Sequence, residues 1–222
     1  MKTIIIIPAR GNSKRLPGKN VLELNDIPLI AHSILYAKEH SNITTDIYVT
    51  TDSEKIKKIA LSYGVKVIDR PEILADDHAT TVSVLKHVLE TIKDIFDTVI
   101  LLQPTNPLRP KYLLMEAYNK FKNTICDSLM TVSKNDKKLG KIVKGYFQPY
   151  TYKMGQRSQD IEPLYFENGL LYITKASLIL DNKILGSYNV PYIIDHPFAS
   201  VDIDTLEDFT YAEFVRSKNI EV

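Results

Sequence analysis

Four cations and two glycines lie in one short stretch that follows the first apolar segment of the chain. They are Arg10, Gly11, Lys14, Arg15, Gly18 and Lys19. Glycine lets backbone N–H groups approach phosphate oxygens closely, and Arg and Lys neutralise phosphate charge. This composition predicts a loop that binds a polyphosphate. The alternative that the composition leaves open is a solvated basic loop.

Two common phosphate-binding loops are excluded by the spacing of these residues. A Walker A loop has four residues between its glycines and a Ser or Thr after its Lys. Here six residues separate Gly11 from Gly18, and Asn20 follows Lys19. The sequence also contains no Gly-x-Gly-x-x-Gly pattern, which argues against a dinucleotide site of the Rossmann type.

Two carboxylates near the end of the chain, Asp202 and Asp204, are separated by one residue. In extended backbone, side chains at positions i and i+2 share a face, so both carboxylates can reach one hard cation. The pair is therefore a candidate magnesium site. A second interpretation stays open, because Asp204 and Glu207 have the spacing of a helix capping box.

Apolar, β-branched segments alternate with helical patterns along the chain, which predicts βαβ units and a parallel sheet. The predicted strands are Thr3–Ile7, Asp46–Thr50, Val65–Ile68, Thr98–Leu102, Ser128–Ser133, Leu170–Thr174 and Val190–Asp195. The predicted helices are Leu29–His40, Ser53–Tyr63, Thr80–Lys93, Lys111–Phe121 and Leu206–Ser217. We expect a single domain over residues 1–222 with a Rossmann-like three-layer α/β/α fold and a mostly parallel sheet.

The position of the basic stretch favours phosphate binding over simple solvation. It follows the first strand directly, and open parallel sheets bind ligands at the carboxyl ends of their strands. Residues 134–167 break the alternation, because Lys, Gly, Tyr and Pro are frequent there. We interpret them as an excursion of irregular or hairpin structure.

Bulk composition limits the classes of partner. The 222 residues have a formal net charge of +1, an apolar fraction of 44% and one cysteine, Cys126. This charge gives no reason to expect nucleic acid or an anionic membrane as a partner. One cysteine cannot form an intramolecular disulfide, so we expect a cytoplasmic protein with Cys126 as a small core residue. The five histidines lack zinc-binding spacing.

The segment from Ile7 to Asn20 resembles the signature loop of the acylneuraminate cytidylyltransferases, or CMP-sialic acid synthetases. Further matching segments follow in the same order as in that family. They are Thr50–Asp52, Leu101–Arg109, Arg157–Asp160, Glu167–Gly169 and Ser200–Thr205. The resemblance covers nearly the whole chain.

This resemblance implies a nucleotidyltransferase that couples CTP to an acidic nine-carbon sugar and releases pyrophosphate, with Mg²⁺ as cofactor. It implies catalytic roles for Arg10, Lys19, Asp202 and Asp204, the last two as metal ligands. The nucleotide-binding residues that it implies are Arg10, Gly11, Lys14, Lys19, Asn20, Arg70 and Thr81. It also implies a homodimer that forms through the excursion.

The acceptor side is assigned to three residues. Gln103 can offer both a donor and an acceptor to sugar hydroxyls, although a rigid proline-rich turn is the alternative interpretation of its loop. Lys141 and Arg157 are candidates to bind the sugar carboxylate. The sequence departs from the family here, because Ser158 stands where Arg often precedes Gln-Asp, and Glu162 stands where Pro is common.

Three other functions are compatible with parts of the pattern. A synthetase that activates the eight-carbon acid Kdo would share the first loop. A GT-A glycosyltransferase would share the Asp-x-Asp pair, though usually without a basic loop after the first strand. A nucleotide-sugar sensor would bind without catalysis, which intact Lys19, Asn20, Asp202 and Asp204 argue against.

Overall fold

A computed structural model describes residues 1–76 and 78–218 of the chain. In chain order, the strands are β1 (Thr3–Pro8), β2 (Glu23–Leu24), β3 (Ile27–Pro28), β4 (Ile47–Thr51), β5 (Lys66–Asp69), β6 (Thr98–Leu101), β7 (Ser128–Asn135), β8 (Gly140–Val143), β9 (Tyr146–Pro149), β10 (Leu164–Lys175) and β11 (Asn189–Ile193). The α-helices are α1 (Leu29–Glu39), α2 (Glu54–Ser62), α3 (Thr81–Thr91), α4 (Leu113–Asn123), α5 (Ala176–Leu180) and α6 (Leu206–Ser217). Short 3₁₀-helices form at Lys19–Val21, Glu72–Leu74, Ser158–Asp160 and Pro197–Ser200.

Within the described residues, the main sheet has seven strands in the order β11-β7-β10-β6-β1-β4-β5. Strand β10 runs antiparallel to both of its neighbours, and the other pairs are parallel. This arrangement confirms the mostly parallel sheet that the sequence predicts. It also brings the carboxyl ends of β6, β1, β4 and β5 side by side at one edge of the sheet.

Alternate residues of β1 enter two different apolar cores, one on each face of the sheet. Ile5 and Ile7 pack with α1, α2 and α4, whereas Ile4 and Ile6 pack with α3 and α5. These β1 side chains are fully buried, which explains why the strand is apolar throughout. Helices on both faces give the three-layer α/β/α architecture that the sequence predicts.

A third apolar cluster lies outside the sheet and joins segments that are far apart in sequence. It contains Leu16 from the first loop, Val201 and Ile203 from the segment before α6, and Phe209 of α6. Burial of these side chains holds the first loop against the chain that contains Asp202 and Asp204. The cluster is therefore the apolar support of the cavity described below.

The predicted elements occur with ends that differ by two residues or fewer, except at β10. This strand begins at Leu164, within the predicted excursion and not at Leu170, because residues 164–167 pair with β7. The excursion also contains a hairpin of β8 and β9. The sequence patterns did not reveal α5 or the small hairpin of β2 and β3, where Asn25 and Asp26 adopt left-handed backbone.

The capping box of α6 is formed by Thr205 and Asp208, not by Asp204 and Glu207. The Thr205 hydroxyl accepts from the Asp208 backbone N–H at 3.2 Å, and the Asp208 carboxylate accepts from the Thr205 backbone N–H at 2.8 Å. The cap interpretation of Asp204 is therefore wrong by one residue. This leaves the carboxylate of Asp204 available for other contacts.

Two further features of the described residues bear on the expectations from composition. Cys126 is buried, and burial raises the pKa of its thiol, as expected of a core residue. None of the helices in the described ranges combines the length and apolar composition that crossing a membrane requires.

Candidate active site

A cavity of about 640 Å³ lies at the edge of the sheet where β1, β4, β5 and β6 end. Nine of the predicted site residues line it. They are Arg10, Lys14, Lys19, Asn20, Arg70, Thr81, Gln103, Asp202 and Asp204. The fold thus brings most of the predicted residues to one place, and their chemical roles stay predictions.

The first loop turns sharply after β1 because Gly11 fits against the β4–α2 connection. The Gly11 backbone N–H donates to the Asp52 carboxylate at 2.8 Å. A Cβ at this position would lie 2.8 Å from the Cβ of Ser53, too close for any larger residue without a shift. Gly11 was predicted to contact nucleotide, but in the structure its N–H is bonded to Asp52 and it does not line the described cavity.

The ammonium of Lys19 lies at the junction between the first loop and the carboxylate segment. Its side chain is buried, and Nζ donates to Asp204 Oδ1 at 2.7 Å and to the Ile203 carbonyl at 2.8 Å. Arg15 donates to the other carboxylate oxygen of Asp204. The Asp204 carboxylate is therefore bound by one cation on each oxygen.

Asp202 lies on the same cavity wall as Asp204 in a different electrostatic environment. Desolvation by the surrounding protein raises the pKa of its carboxyl group, and the negative charge of Asp204 raises it further. A hydrogen bond from Thr105 and the charge of Lys19 oppose this rise in pKa. Thr105 lines the cavity beside Gln103, a contact that the sequence patterns did not indicate.

The donor set of this wall fits a hard divalent cation. Ile203, between the two aspartates, is fully buried, while both aspartates face the cavity as alternation in extended backbone requires. No cluster of three or more Asp, Glu, His or Cys side chains suited to a metal occurs in residues 1–76 and 78–218. Mg²⁺ is commonly held by one or two carboxylates with the remaining ligands from phosphate and water, so two carboxylates suffice.

Two buried polar atoms of residues that line the cavity have no hydrogen-bond partner within the described part of the chain. They are Arg70 Nε and Asn20 Oδ1. Arg70 Nη2 donates to the Thr50 carbonyl at 2.8 Å, and Asn20 Nδ2 donates to the Arg10 carbonyl at 2.9 Å. Burial lowers the pKa of Arg70 to about 10. Unpaired buried groups are costly, and both of these belong to residues that line the cavity.

Lys141 and Arg157 lie on the excursion, and neither lines the described cavity. Lys141 Nζ stands 4.0 Å from the ring centroid of Tyr150. The guanidinium of Arg157 makes two hydrogen bonds to Asp160, at 2.8 and 3.1 Å. The structure therefore does not bring Lys141 and Arg157 together with the other predicted site residues, and their contacts with a sugar carboxylate stay predictions.

Two further lining residues, Arg15 and Asp76, were not among the individually assigned site residues. Arg15 was noted as a cation of the first loop, but its pairing with Asp204 depends on the fold. Asp76 lies on the segment after β5, and its carbonyl is 3.5 Å from Arg10 Nη1. No pattern in the sequence marks Asp76, because the turn that brings it over the cavity is irregular.

Several known proteins are similar in sequence to this chain. A family model described as "Cytidylyltransferase" matches residues 4–220. The N-acylneuraminate cytidylyltransferase of Streptococcus agalactiae serotype III is 36% identical over 95% of this chain and 52% of its own length. The chain thus spans about half the length of the first curated relatives that it matches.

Other relatives match this chain over nearly their whole length. The pseudaminic acid cytidylyltransferase of Campylobacter jejuni is 30% identical over 100% of this chain and 99% of its own length. The CMP-N,N'-diacetyllegionaminic acid synthase of Legionella pneumophila is 34% identical over 100% of this chain and 99% of its own length.

Among solved structures, a CMP:2-keto-3-deoxy-manno-octonic acid synthetase complexed with CTP superimposes with a TM-score of 0.71. It is 18% identical, and the match covers 99% of this chain and 100% of that one. The 4-diphosphocytidyl-2C-methyl-D-erythritol synthase of Anaerococcus prevotii gives a TM-score of 0.70 at 12% identity, with 97% and 98% covered. At these identities the superpositions establish the fold alone.

The ion pairs of Asp204 predict how the cavity binds an anion without metal. Asp204→Asn removes the charge that Lys19 and Arg15 neutralise, so both cations become available to a polyanion. We expect inorganic tripolyphosphate in EDTA to bind about three- to tenfold more tightly to this variant by calorimetry. Asp46→Asn, which breaks the surface pair with Lys66, is the control and should leave the affinity unchanged. An unchanged affinity in Asp204→Asn would show that these cations do not face the bound anion.

Proposed function

The chain belongs to the cytidylyltransferase family, and on this premise we propose that it transfers CMP from CTP to an acidic nine-carbon sugar and releases pyrophosphate. The observation that supports this most directly is the cavity, in which cations of the first loop face two carboxylates and Gln103. Relatives with similar sequences are named for sialic-type, pseudaminic and legionaminic acids, so the acceptor belongs to the nonulosonic acid class. The single cysteine supports a cytoplasmic location.

In the proposed reaction, the anomeric hydroxyl oxygen of the sugar attacks the α-phosphorus of CTP. A new P–O bond forms in line with the bond to pyrophosphate, which breaks, and the hydroxyl proton is lost to solvent or to a carboxylate of the site. Negative charge grows on the leaving pyrophosphate. Lys19, Arg10 and Lys14 would stabilise that charge, because all three line the cavity.

The nucleoside would lie towards Arg70, Asn20 and Thr81. The unpaired Arg70 Nε is a donor and the unpaired Asn20 Oδ1 is an acceptor, and cytosine and ribose offer groups of both kinds. Thr81 begins α3, so the amino end of that helix also faces this part of the cavity.

Asp202 and Asp204 would hold Mg²⁺, which when bound neutralises phosphate charge and orients the triphosphate. For this, Asp204 has to exchange its contacts with Lys19 and Arg15 for the cation. The triphosphate favours that exchange, because its own charge attracts the two side chains.

The acceptor would bind on the side of Gln103, whose amide can bond sugar hydroxyls. Lys141 and Arg157 remain proposed partners of the sugar carboxylate. Since they lie on the excursion and away from the cavity of their own chain, a partner subunit's excursion is the simplest source of such contacts.

We also propose a homodimer that forms through the excursion. Ile142, Tyr146, Phe147 and Tyr150 are each more than half exposed, between 52% and 76%. Ile142 and Phe147 pair across the β8–β9 hairpin and form an exposed apolar surface on one of its faces, whereas Tyr146 points to the other face. A surface of this kind is costly to leave in water, and a second copy of the hairpin would cover it.

Turnover with a panel of acids tests the proposed reaction. Pyrophosphate release should require CTP together with N-acetylneuraminic, legionaminic or pseudaminic acid, with far slower turnover of Kdo and of ATP, GTP or UTP. Lys19→Ala should lower kcat/KM by about 10²-fold because it removes an electrostatic stabiliser. Preference for Kdo would favour the eight-carbon alternative, and binding without pyrophosphate release would indicate a sensor.

Metal dependence tests the carboxylate pair. Asp202→Asn keeps the size of the side chain but loses the charge that attracts Mg²⁺, so half-maximal activity should require about tenfold more Mg²⁺. Thermal stability in EDTA should barely change. Asp195→Asn, which is close in sequence but does not line the described cavity, is the control. The same Mg²⁺ dependence in wild type and Asp202→Asn would remove Asp202 from the metal site.

Light scattering tests the dimer. The wild type should have the mass of two chains at micromolar concentration, and Ile142→Asp should have the mass of one, because a charge would be buried at the interface. Ile125→Asp is the matched control, since Ile125 is 97% exposed but lies outside the excursion. A wild type that is monomeric, or an Ile142→Asp variant that remains dimeric, would contradict this interface.

A further inference from the structure

Arg109 is a fully buried cation whose hydrogen bonds go to neutral acceptors. Its side chain is 1% exposed. Nε donates to the Leu170 carbonyl at 2.7 Å, Nη2 to the Gln103 carbonyl at 2.8 Å and Nη1 to the Ser33 hydroxyl at 3.1 Å. Burial lowers the pKa of Arg109 to about 10. An apolar side chain would avoid this desolvation cost, so stability alone is a poor explanation for a guanidinium here.

Two of the three hydrogen bonds of Arg109 go to Gln103, the residue assigned to the acceptor, and to the strand beside it. Nη2 holds the backbone carbonyl of Gln103, whose side chain lines the cavity. Nε holds Leu170, which follows Gly169 at the irregular part of β10. Gly169 has a φ of +77°, and a Cβ there would lie 3.1 Å from Gln103 Oε1. Arg109 therefore fixes both the backbone of Gln103 and the strand against which its amide lies.

The same loop is also tied to the carboxylate segment. Asn106 is buried, and its Nδ2 donates to the Val201 carbonyl at 3.0 Å and to the Asn168 carbonyl at 3.2 Å. The Ile203 backbone N–H donates to the Thr105 carbonyl at 2.8 Å. Residues 103–109 thus form a rigid connection between β10 and the segment that contains Asp202.

The nucleotide side of the cavity is supported by different contacts. Lys19 is held by Ile203 and Asp204, and Arg70 is held by Thr50. Neither side chain touches Arg109. Thr105 and Asn106 keep their own hydrogen bonds to Ile203 and Val201 when the Arg109 fork is lost. We therefore expect Gln103 to move and the groups assigned to CTP to move far less.

We propose that Arg109 is a positioning residue for the acceptor sugar, acting through the backbone of Gln103 and the adjoining part of β10. This proposal rests on the proposed function, since it assigns Gln103 to the acceptor side. A positioning role and a purely structural role for Arg109 predict different kinetic results. A structural defect would reduce the active fraction and lower kcat alone, whereas misplacement of Gln103 changes the KM for one substrate.

The test compares the two KM values in Arg109→Lys and Arg109→Met. A lysine keeps the charge but cannot form the three-way fork, and methionine removes both. We expect the KM for the acid to rise about tenfold or more in each variant, with the KM for CTP within about twofold of wild type. Thr3→Val is the matched control, because it removes a buried hydrogen bond to Tyr118 at the opposite end of β1. It should lower thermal stability and change neither KM. Equal changes in both KM values, or a loss of kcat alone, would overturn the proposal.

Amide hydrogen exchange provides a readout that does not depend on turnover. The amides of Gln103, Thr105 and Asn106 should exchange faster in Arg109→Lys than in wild type, and at the wild-type rate in Thr3→Val; Pro104 has no amide hydrogen. If Arg109→Met does not fold, the KM values and the amide exchange of Arg109→Lys test the proposal on their own. If the wild type turned over none of the acids, the proposed function would be wrong. Exchange of the same three amides would then decide whether Arg109 positions Gln103, and unchanged exchange would refute it.

Discussion

The buried ammonium of Lys19 connects the two parts of the chain that form the cavity. One part follows β1, and the other begins more than 180 residues later with Val201. A buried ion pair is weak evidence for stability, since the attraction of its charges roughly offsets their desolvation. The ion pair instead fixes the relative position of the two segments, because Lys19 donates to both the Ile203 carbonyl and the Asp204 carboxylate. The third apolar cluster supplies the free energy that brings these segments together, and Lys19 fixes their register.

The order of the sheet explains why the remaining groups meet at the same place. Strands β6, β1, β4 and β5 are adjacent and parallel, so the loops that follow them emerge at one edge. Gln103 follows β6, Arg10 follows β1 and Arg70 follows β5. Antiparallel β10 lies next to β6 and contributes its irregular part to the same edge. Gln103 and Arg10 follow buried strands, and Arg70 follows the partly exposed edge strand β5. Each group is therefore anchored at the end of a strand, which restricts its movement more than a free loop would.

Much of this arrangement could be predicted from the sequence, and the failures have physical causes. The buried strands are mainly apolar and the helices alternate with them, so the positions of both could be predicted from the sequence. The cap of α6 was not, because Asp204-x-x-Glu207 and Thr205-x-x-Asp208 are overlapping candidates one residue apart. Contacts of Asp204 with distant cations decide between them. The start of β10 depends on pairing with β7, and Lys141 and Arg157 lie on a surface hairpin where local pattern does not determine the neighbours.

Positive side chains are concentrated at the cavity although the chain as a whole has little net charge, and this affects how a charged ligand approaches. The chain has a formal net charge of only +1, yet five cations line one opening that has three aspartates. The cations are Arg10, Lys14, Arg15, Lys19 and Arg70. At physiological ionic strength, fields between exposed charges are screened within about 8 Å. A polyanion is therefore steered only in the last steps of its approach, and the molecule as a whole does not attract anionic polymers or surfaces. Added salt should slow the capture of a small polyanion while leaving the colloidal behaviour of the protein almost unchanged.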